Sequence, residues 1–371
     1  MSVTFVTTAT KSYIPLVRVL MESVRKFHPD ARRVVVQMDG QPESVGDAEI
    51  ISPADVITDP HELAIRMGMY NVLEFTTSLK PRVLMRELES ADQVIFLDPD
   101  TRLFQPMDRA LAELQAGSGV LLTPHQLRQP SSYRNWDFYE WILKLVGVFN
   151  TGFVGVTREG LPFLEWWDER LRRECIGETR IHHWVDQKIV DFAPAYFDVD
   201  VLRDPAYNVG WWNLEERPLS RNGGTWMVGD EPLVMMHYSD VRPAKPKVSE
   251  GDLPYLVRSE RNGVVEAPEQ VDAIRRIETD YIADLMAAGY RELSMVPYAY
   301  AVTPEGRAIS ARDRRRYREL VLSAEEQGMT PPMIDTLPPE PLSWKLRGVR
   351  DRARDGADRV ADAIRARRGR S

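Results

Sequence analysis

Apolar runs typical of buried strands alternate with stretches of helical spacing along the N-terminal third of the chain. Short β-branched and apolar runs predict strands at residues 3–6, 34–38, 94–97 and 120–122. Apolar residues recurring at helical spacing predict helices at residues 13–28 and 78–88. This alternation predicts an α/β fold with a mostly parallel central sheet and helices on both of its faces.

Beyond residue 150 the pattern becomes mixed. We predict strands at residues 153–156 and 233–236, a short helix at 184–192 and a longer one at 271–288. A proline- and charge-rich stretch at 243–263 marks the end of the first domain. The predicted organisation is a catalytic domain (1–263), a small helical appendage (264–330), a proline-rich linker (331–343) and a basic tail (344–371).

Polar clusters follow three of the predicted strands. They are Thr7-Thr8, Asp39 and the segment Asp98-Pro99-Asp100. Because open α/β sheets bind ligands beyond the C-terminal ends of their strands, these clusters predict one binding crevice.

The two aspartates of that last segment are the most informative feature. An Asp-Pro-Asp sequence is also a good turn, and each carboxylate can cap the residues that follow. The buried apolar strand before Asp98 favours a metal site, since two neighbouring carboxylates repel unless a cation compensates them. Oxygen ligands suit Mg²⁺ or Mn²⁺, and such ions often hold phosphates too.

Two classes of phosphate enzyme contain such a pair. One is the phosphatase class with the pattern D-x-D-x-T, but Arg102 stands where its threonine belongs, and Thr101 comes one residue early. The other class is the nucleotide-sugar glycosyltransferases, in which a metal ion bridges the pyrophosphate. The motifs below favour the second class.

Composition excludes several kinds of protein. The net charge of -8 argues against a nucleic-acid partner. The one cysteine, Cys175, excludes an intramolecular disulfide and fits a reducing compartment. The sequence has no apolar run of membrane-spanning length, and its first residues do not read as a signal peptide. We therefore expect a cytoplasmic protein.

Five short motifs follow one another along the chain: "FVTTATKSY", "SLKPRVLMREL", "FNTGFVGV", "VDQKIVDF" and "MMHYSD". Together they resemble the GT-A glycosyltransferases of family 8, a group that includes glycogenin-like and bacterial lipopolysaccharide galactosyltransferases. The resemblance implies a Rossmann-like GT-A fold. It also implies transfer of a hexose, with retention, from a nucleotide-diphosphate sugar, UDP by default. Two further segments, "DPAYNVGWWNLEER" and "PYAYAVTPEGRAIS", suggest a bacterial polysaccharide branch with a glycan or lipid-linked acceptor.

The resemblance also assigns residues. Asp98, Asp100 and His237 match the metal site, and the imidazole favours Mn²⁺ over Mg²⁺. The donor-binding positions that match are Thr7, Thr8, Tyr13, Lys80, Asp98, Pro99, Asp100, Thr151 and His237. The sugar pocket matches Asn150, Asp186 and Gln187, which makes them the candidate catalytic residues. Whether Asp186 acts as a nucleophile or stabilises charge, and whether Gln187 faces the sugar instead, stays open.

One position departs from the family pattern. Asp240 stands where a glycine normally approaches the pyrophosphate, and a carboxylate there repels phosphate. The basic residue expected soon afterwards is either Arg242 or Lys245. Asp240 supports the alternative of a catalytically degenerate protein that binds sugar nucleotide or glycan without turnover. A nucleotidyltransferase is disfavoured, because "TTATKS" has no glycine.

Two other features keep alternatives open. Trp211 and Trp212 are adjacent, so they belong either to the core or to a carbohydrate subsite. The tail at 344–371 holds ten basic and four acidic residues, with small apolar residues at helical spacing. It is either a solvated helix, a partner helix in a homo-oligomer, or an anchor on the anionic inner face of a membrane.

Overall fold

The computed structural model describes residues 1–129, 143–239, 268–303 and 306–337. Its strands, numbered β1 to β14 along the chain, are Val3–Ala9, Arg32–Gln37, Glu49–Ile51, Gln93–Leu97, Thr101–Leu103, Val120–Pro124, Phe149–Val156, Gly177–Glu178, His183–Trp184, Asp200–Val201, Leu219–Asn222, Thr225–Val228, Glu231–Pro232 and Met235–His237. The α-helices of the described part, numbered α1 to α10, are Ile14–Phe27, Pro60–Met69, Val72–Ser78, Lys80–Glu87, Asp108–Ala116, Leu161–Glu174, Ala193–Tyr196, Pro268–Ala287, Tyr290–Leu293 and Ala311–Glu326.

The centre of the fold is a seven-stranded sheet with the order β10-β6-β7-β4-β1-β2-β3. Neighbouring strands run parallel except where β7 pairs antiparallel with β4 and β6. The predicted α/β class and mostly parallel sheet are therefore confirmed. Because β7 is reversed, its first residues lie at the edge where β1 and β4 end. This reversal brings Asn150 and Thr151 to the same edge as the aspartate pair.

Alternate residues of the inner strands enter two different hydrophobic clusters. Val6 and Phe96 pack with Phe75, Val83 and Trp167 on α3, α4 and α6. The other face, which includes Phe5 and Ile95, packs against α1 and α5. Every residue of β4 and β7 is buried, as expected of strands covered by helices on both faces.

The helices predicted as an appendage pack directly onto the helices around the sheet. Ile274 and Tyr281 on α8 share a hydrophobic cluster with Leu16 on α1. Tyr317 and Val321 on α10 join the cluster that contains the sheet core. The division of the chain at residue 264 stays a prediction, as does the linker, which the structure describes only as far as residue 337.

Two predicted helices need correction. The helix expected at 78–88 is α4, which begins two residues later at Lys80, because Ser78 is the last residue of α3 and Leu79 separates the two helices. The helix expected at 184–192 is wrong in its first half, where β9 and a turn precede a 3-10 helix at Lys188–Phe192. The helix is interrupted at Val185, whose backbone φ of 37° a right-handed helix does not accept. Among the described residues, no helix combines the length and apolar composition that a bilayer crossing requires.

Candidate active site

The turn that carries the aspartate pair follows β4 directly. The Thr101 backbone N and Oγ1 donate to the Asp98 carbonyl oxygen at 3.1 and 2.7 Å. This bond pattern closes the Asp98-Pro99-Asp100 turn and leads the chain into β5. The side chains of Asp98 and Asp100 are 25% and 14% exposed, so both stay partly accessible at the sheet edge.

His237 reaches this turn through strand pairing. β14 runs antiparallel to β5, with His237 opposite Thr101. The imidazole Nε2 lies 3.2 Å from Asp100 Oδ1 and 3.8 Å from Asp98 Oδ2. One ligand atom from each of the three residues lies within 4.8 Å of the other two. Two carboxylates and one imidazole at this separation fit a divalent ion such as Mn²⁺.

Burial and charge act against each other in this cluster. Burial raises the pKa of Asp98, although Lys80 and His237 counteract part of this effect. Burial alone would lower the pKa of His237, but the Asp100 and Asp98 carboxylates together outweigh burial, so the pKa is raised. The two carboxylates of this cluster repel each other, and a bound divalent cation would compensate that repulsion.

Lys80 connects the aspartate turn to the predicted sugar pocket. It is the first residue of α4 and only 1% exposed. Its Nζ lies 3.0 Å from Asp98 Oδ1 and 3.0 Å from Asp186 Oδ2. Nζ also donates to the Thr151 carbonyl oxygen at 3.1 Å. Burial alone would lower the pKa of Lys80, but the Asp186 and Asp98 carboxylates raise it, so the side chain stays charged.

Asp186 and Gln187 lie in the turn after β9 and point towards β7. Asp186 Oδ2 accepts a hydrogen bond from Thr151 Oγ1 at 2.7 Å, and Gln187 Oε1 accepts one from the Thr151 backbone N at 3.1 Å. Both side chains are buried and not exposed to solvent. The Trp167 indole donates to the Asp186 carbonyl oxygen at 3.0 Å and supports this turn from the core.

Asn150 belongs to a buried polar network that sequence reasoning missed. Its Nδ2 lies 3.1 Å from His125 Nε2, and its Oδ1 accepts from Asn208 Nδ2 at 3.1 Å. Asn208 Oδ1 in turn lies 2.9 Å from His237 Nδ1. Burial lowers the pKa of His125 to about 3, so this imidazole is neutral at physiological pH. His125 follows β6 directly, so the strand-end rule applied above to Asp98 would also have found it.

Of the predicted donor-binding residues near the N-terminus, Thr7 and Thr8 lie in β1, and Tyr13 immediately precedes α1. Thr8 Oγ1 donates to the Thr76 carbonyl oxygen at 3.1 Å. Thr7 Oγ1 is buried and has no hydrogen-bond partner among the described residues. Tyr13 is half-buried and packs against the hydrophobic clusters around α1. Both carboxylate oxygens of Asp39 accept hydrogen bonds elsewhere in the chain, from the backbone N atoms of Lys11 and Ala299.

The two adjacent tryptophans have different surroundings. Trp212 is 4% exposed, and its ring meets the His237 ring edge-on with centroids 5.1 Å apart. The core alternative therefore holds for Trp212. Trp211 is half-buried and donates to Ser239 Oγ at 2.9 Å. Asp240, Arg242 and Lys245 lie outside the described residues.

No known family profile matches the sequence, and no curated protein sequence matches it. Solved structures similar to this chain include a glycosyltransferase involved in glycosylation of the major capsid of PBCV-1, at 14% identity and a TM-score of 0.37, covering 71% of this chain and 100% of that one. Another is the galactosyltransferase LgtC in complex with donor and acceptor sugar analogues, at 18% identity and a TM-score of 0.41, covering 74% and 100%.

A third similar structure is the bifunctional WbbM glycosyltransferase, at 13% identity and a TM-score of 0.41, covering 74% of this chain and 51% of that one. All three similar structures are glycosyltransferases, the class whose motifs this sequence resembles.

Proposed function

We propose that this protein is a metal-dependent glycosyltransferase that moves a hexose from a nucleotide-diphosphate sugar, UDP by default, to a glycan or lipid-linked acceptor. The observation that carries the proposal is the position of Lys80. It places one ammonium 3.0 Å from a carboxylate of the candidate metal cluster and 3.0 Å from the Asp186 carboxylate. A nucleotide sugar whose diphosphate binds beside Asp98 would place its sugar near Asp186.

One group of residues would bind the diphosphate of the donor, and a second group would bind its sugar. Asp98, Asp100 and His237 would hold Mn²⁺ or Mg²⁺, whose chemistry when bound is to neutralise negative charge on the diphosphate. Lys80 adds a fixed positive charge from a buried position, where electrostatic interactions are strong. Asp186 and Gln187 bond to Thr151 of β7, next to Asn150, and the carboxylate and amide groups of these residues can bind sugar hydroxyls.

The alternative is a catalytically degenerate protein that binds a sugar nucleotide without turnover. Two observations argue against it: Asp98, Asp100 and His237 lie close enough to hold one metal ion, and Asp186 is buried beside Thr151 of β7. A single-turnover assay with the purified protein separates the two, since the degenerate protein binds the donor but releases no nucleoside diphosphate.

The direct test is a thermal-shift panel of nucleotide sugars with Mn²⁺. A specific donor raises the unfolding midpoint by mass action. Asp98→Asn and Asp100→Asn should then abolish both the Mn²⁺-dependent shift and transfer while the protein stays folded. Asp230→Asn changes an exposed aspartate away from the cluster and is the matched control. Full transfer by either site variant, or by wild type in EDTA, would refute the metal assignment.

The acceptor and the location of the enzyme are proposed from the tail alone. The ten basic residues of 344–371 would hold an otherwise acidic protein on an anionic inner membrane face, where lipid-linked acceptors lie. Full-length protein should co-sediment with anionic liposomes at low salt, and a protein truncated after residue 341 should not. Co-sedimentation that is equal or absent for both would favour the alternatives, a surface helix or a homo-oligomer contact. Sedimentation velocity of the two proteins distinguishes these.

A further inference from the structure

Asn208 is buried next to the candidate metal site of Asp98, Asp100 and His237, and its backbone has a positive φ. Its side chain is 1% exposed, and its φ of 52° lies in the left-handed region. Asparagine and glycine accept this conformation more readily than other residues do. The following residue, Val209, is bonded to β14 through its carbonyl oxygen, which accepts from the His237 backbone N at 2.8 Å. The Asn208 side chain is thus held at a fixed place beside the His237 imidazole.

The hydrogen bonds of Asn208 determine which way its amide faces. The Nδ2 atom donates to Thr123 Oγ1 at 2.8 Å and to the Asn150 carbonyl oxygen at 3.4 Å. A backbone carbonyl only accepts hydrogen bonds, so the nitrogen must be the atom on that side. The Oδ1 atom therefore faces His237.

This orientation determines the tautomer of His237. Asn208 Oδ1 lies 2.9 Å from His237 Nδ1, and an amide oxygen only accepts. Nδ1 must then carry the hydrogen, which leaves the lone pair of the neutral ring on Nε2. Nε2 is the nitrogen that faces Asp100 and Asp98, at 3.2 and 3.8 Å. A neutral imidazole binds a metal ion only through its unprotonated nitrogen.

The packing around the ring leaves it little freedom to turn over. A Cβ atom at Gly152 would lie 2.4 Å from His237 Cε1, so the ring rests directly on the β7 backbone. Trp212 packs edge-on against the same ring. Rotation is limited by these contacts, and the hydrogen bond from Nδ1 selects the nitrogen that faces the cluster.

We propose that Asn208 is a positioning residue that holds His237 in the Nδ1–H tautomer and so presents Nε2 to a divalent cation. The cation rests on the proposed function. The tautomer does not, because it follows from hydrogen bonds within this chain. Partners of this kind behind a metal-binding histidine typically change metal affinity by about 10- to 100-fold when they are removed.

Three variants test the proposal. Asn208→Gly removes the amide but keeps a residue suited to positive φ, so it avoids backbone strain. Asn208→Asp keeps an acceptor for Nδ1. Asn213→Ala is the matched control, because Asn213 is an equally buried asparagine that donates to the His125 and Asn208 carbonyl oxygens without touching the imidazole of His237.

The first measurement is ¹⁵N NMR of histidine-labelled protein at alkaline pH, with the His237 signal assigned by a His237→Asn variant. Wild type, Asn208→Asp and Asn213→Ala should show His237 as the Nδ1–H tautomer, and Asn208→Gly should show a mixture or the Nε2–H form. The second measurement is titration with Mn²⁺ alone, followed by the electron paramagnetic resonance of the free ion. Asn208→Gly should bind about 10- to 100-fold more weakly than wild type, with Asn208→Asp close to wild type.

The outcomes distinguish the positioning role of Asn208 from the metal site of the proposed function. An Nδ1–H signal in Asn208→Gly, or an equal tautomer shift in Asn213→Ala, would overturn the positioning role and leave Asn208 as a packing residue. A tautomer shift in Asn208→Gly, in a protein whose wild type binds no Mn²⁺, would keep the positioning role of Asn208 and refute the metal site of the proposed function.

Discussion

Lys80 and Asp186 form a buried ion pair in which Nζ and Oδ2 are 3.0 Å apart and both side chains are only 2% exposed. The pair joins the start of α4 to the turn after β9. A lysine at a helix N-terminus opposes the helix dipole, so this position is favourable only because carboxylates surround the ammonium.

Replacing the lysine should destabilise the fold strongly. Lys80→Met leaves the buried carboxylate of Asp186 and the Asp98 carboxylate without their shared cation, which typically costs about 3 to 5 kcal/mol. Urea unfolding would measure the loss. Lys188→Met is the control, since Lys188 pairs with Asp191 at a more exposed site, where the two side chains are 24% and 18% exposed, and its loss should cost less than about 1 kcal/mol. Similar losses for the two variants would mean that the Lys80 pair contributes no more than an ordinary surface pair.

The backbone of β7 at Gly152 should be essential to the candidate metal site of Asp98, Asp100 and His237. An alanine Cβ would come within 2.7 Å of Asn150 Oδ1 and closer still to the His237 ring, so Gly152→Ala must displace the imidazole. We expect Mn²⁺ affinity measured by calorimetry to fall by about 10-fold or more. Gly155→Ala in the same strand meets only side-chain atoms at 3.2 Å or beyond and should bind Mn²⁺ like wild type. Unchanged binding by Gly152→Ala would place the metal away from His237.

The carboxylate of Asp186 should matter more to turnover than to binding of the nucleotide. Asp186→Asn keeps an oxygen that accepts from Thr151 but removes the charge beside the sugar position. We expect kcat to fall by about 100-fold or more, while calorimetry shows nearly unchanged affinity for the nucleoside diphosphate. Asp198→Asn alters an exposed aspartate later in the same segment and is the control. Parallel loss of diphosphate affinity and kcat would place Asp186 at the phosphates or in folding.

Stability below pH 5 should depend on Glu62. Burial alone would raise the pKa of Glu62, but hydrogen bonds from Arg173 and Arg66 outweigh it and lower the pKa to about 2 from an ordinary value of 4.5. A lowered folded-state pKa adds stability that is complete above the unfolded-state pKa. That stability is lost as the pH falls from about 4.5 towards 2. The shift corresponds to roughly 3 kcal/mol.

Glu62→Gln should therefore lower the urea midpoint at pH 7 and flatten its decline in acid. Glu169→Gln, at a carboxylate that is 72% exposed, is the control and should follow the wild-type curve. A wild-type acid slope in Glu62→Gln would show that other carboxylates govern acid unfolding.

Part of this architecture is readable without coordinates because it depends on neighbours in sequence. A buried parallel strand is a continuous apolar run, so residues 94–97 predicted β4 almost to its bounds. The aspartates after it lie at the strand end as expected. The prediction failed at 184–192, where the positive φ of Val185 turns the chain out of a helix. Such a conformation depends on the tertiary contacts that hold it, and a β-branched residue gives no local sign of it.

The amino-acid sequence by itself determined the α/β class, the strand that ends at Asp98 and the set of residues matched to a sugar-nucleotide site. Only the tertiary structure decided which of these residues meet. The antiparallel pairing of β14 with β5 places His237 opposite Thr101, and the reversed β7 brings Thr151 beside Asp186. Strand register links segments far apart in the chain, so periodicity cannot encode it locally. The hydrogen-bond network of His125 and Asn208 around Asn150 is likewise set by the tertiary structure. The partners of a buried polar residue identify its place in the fold, and its residue type alone does not.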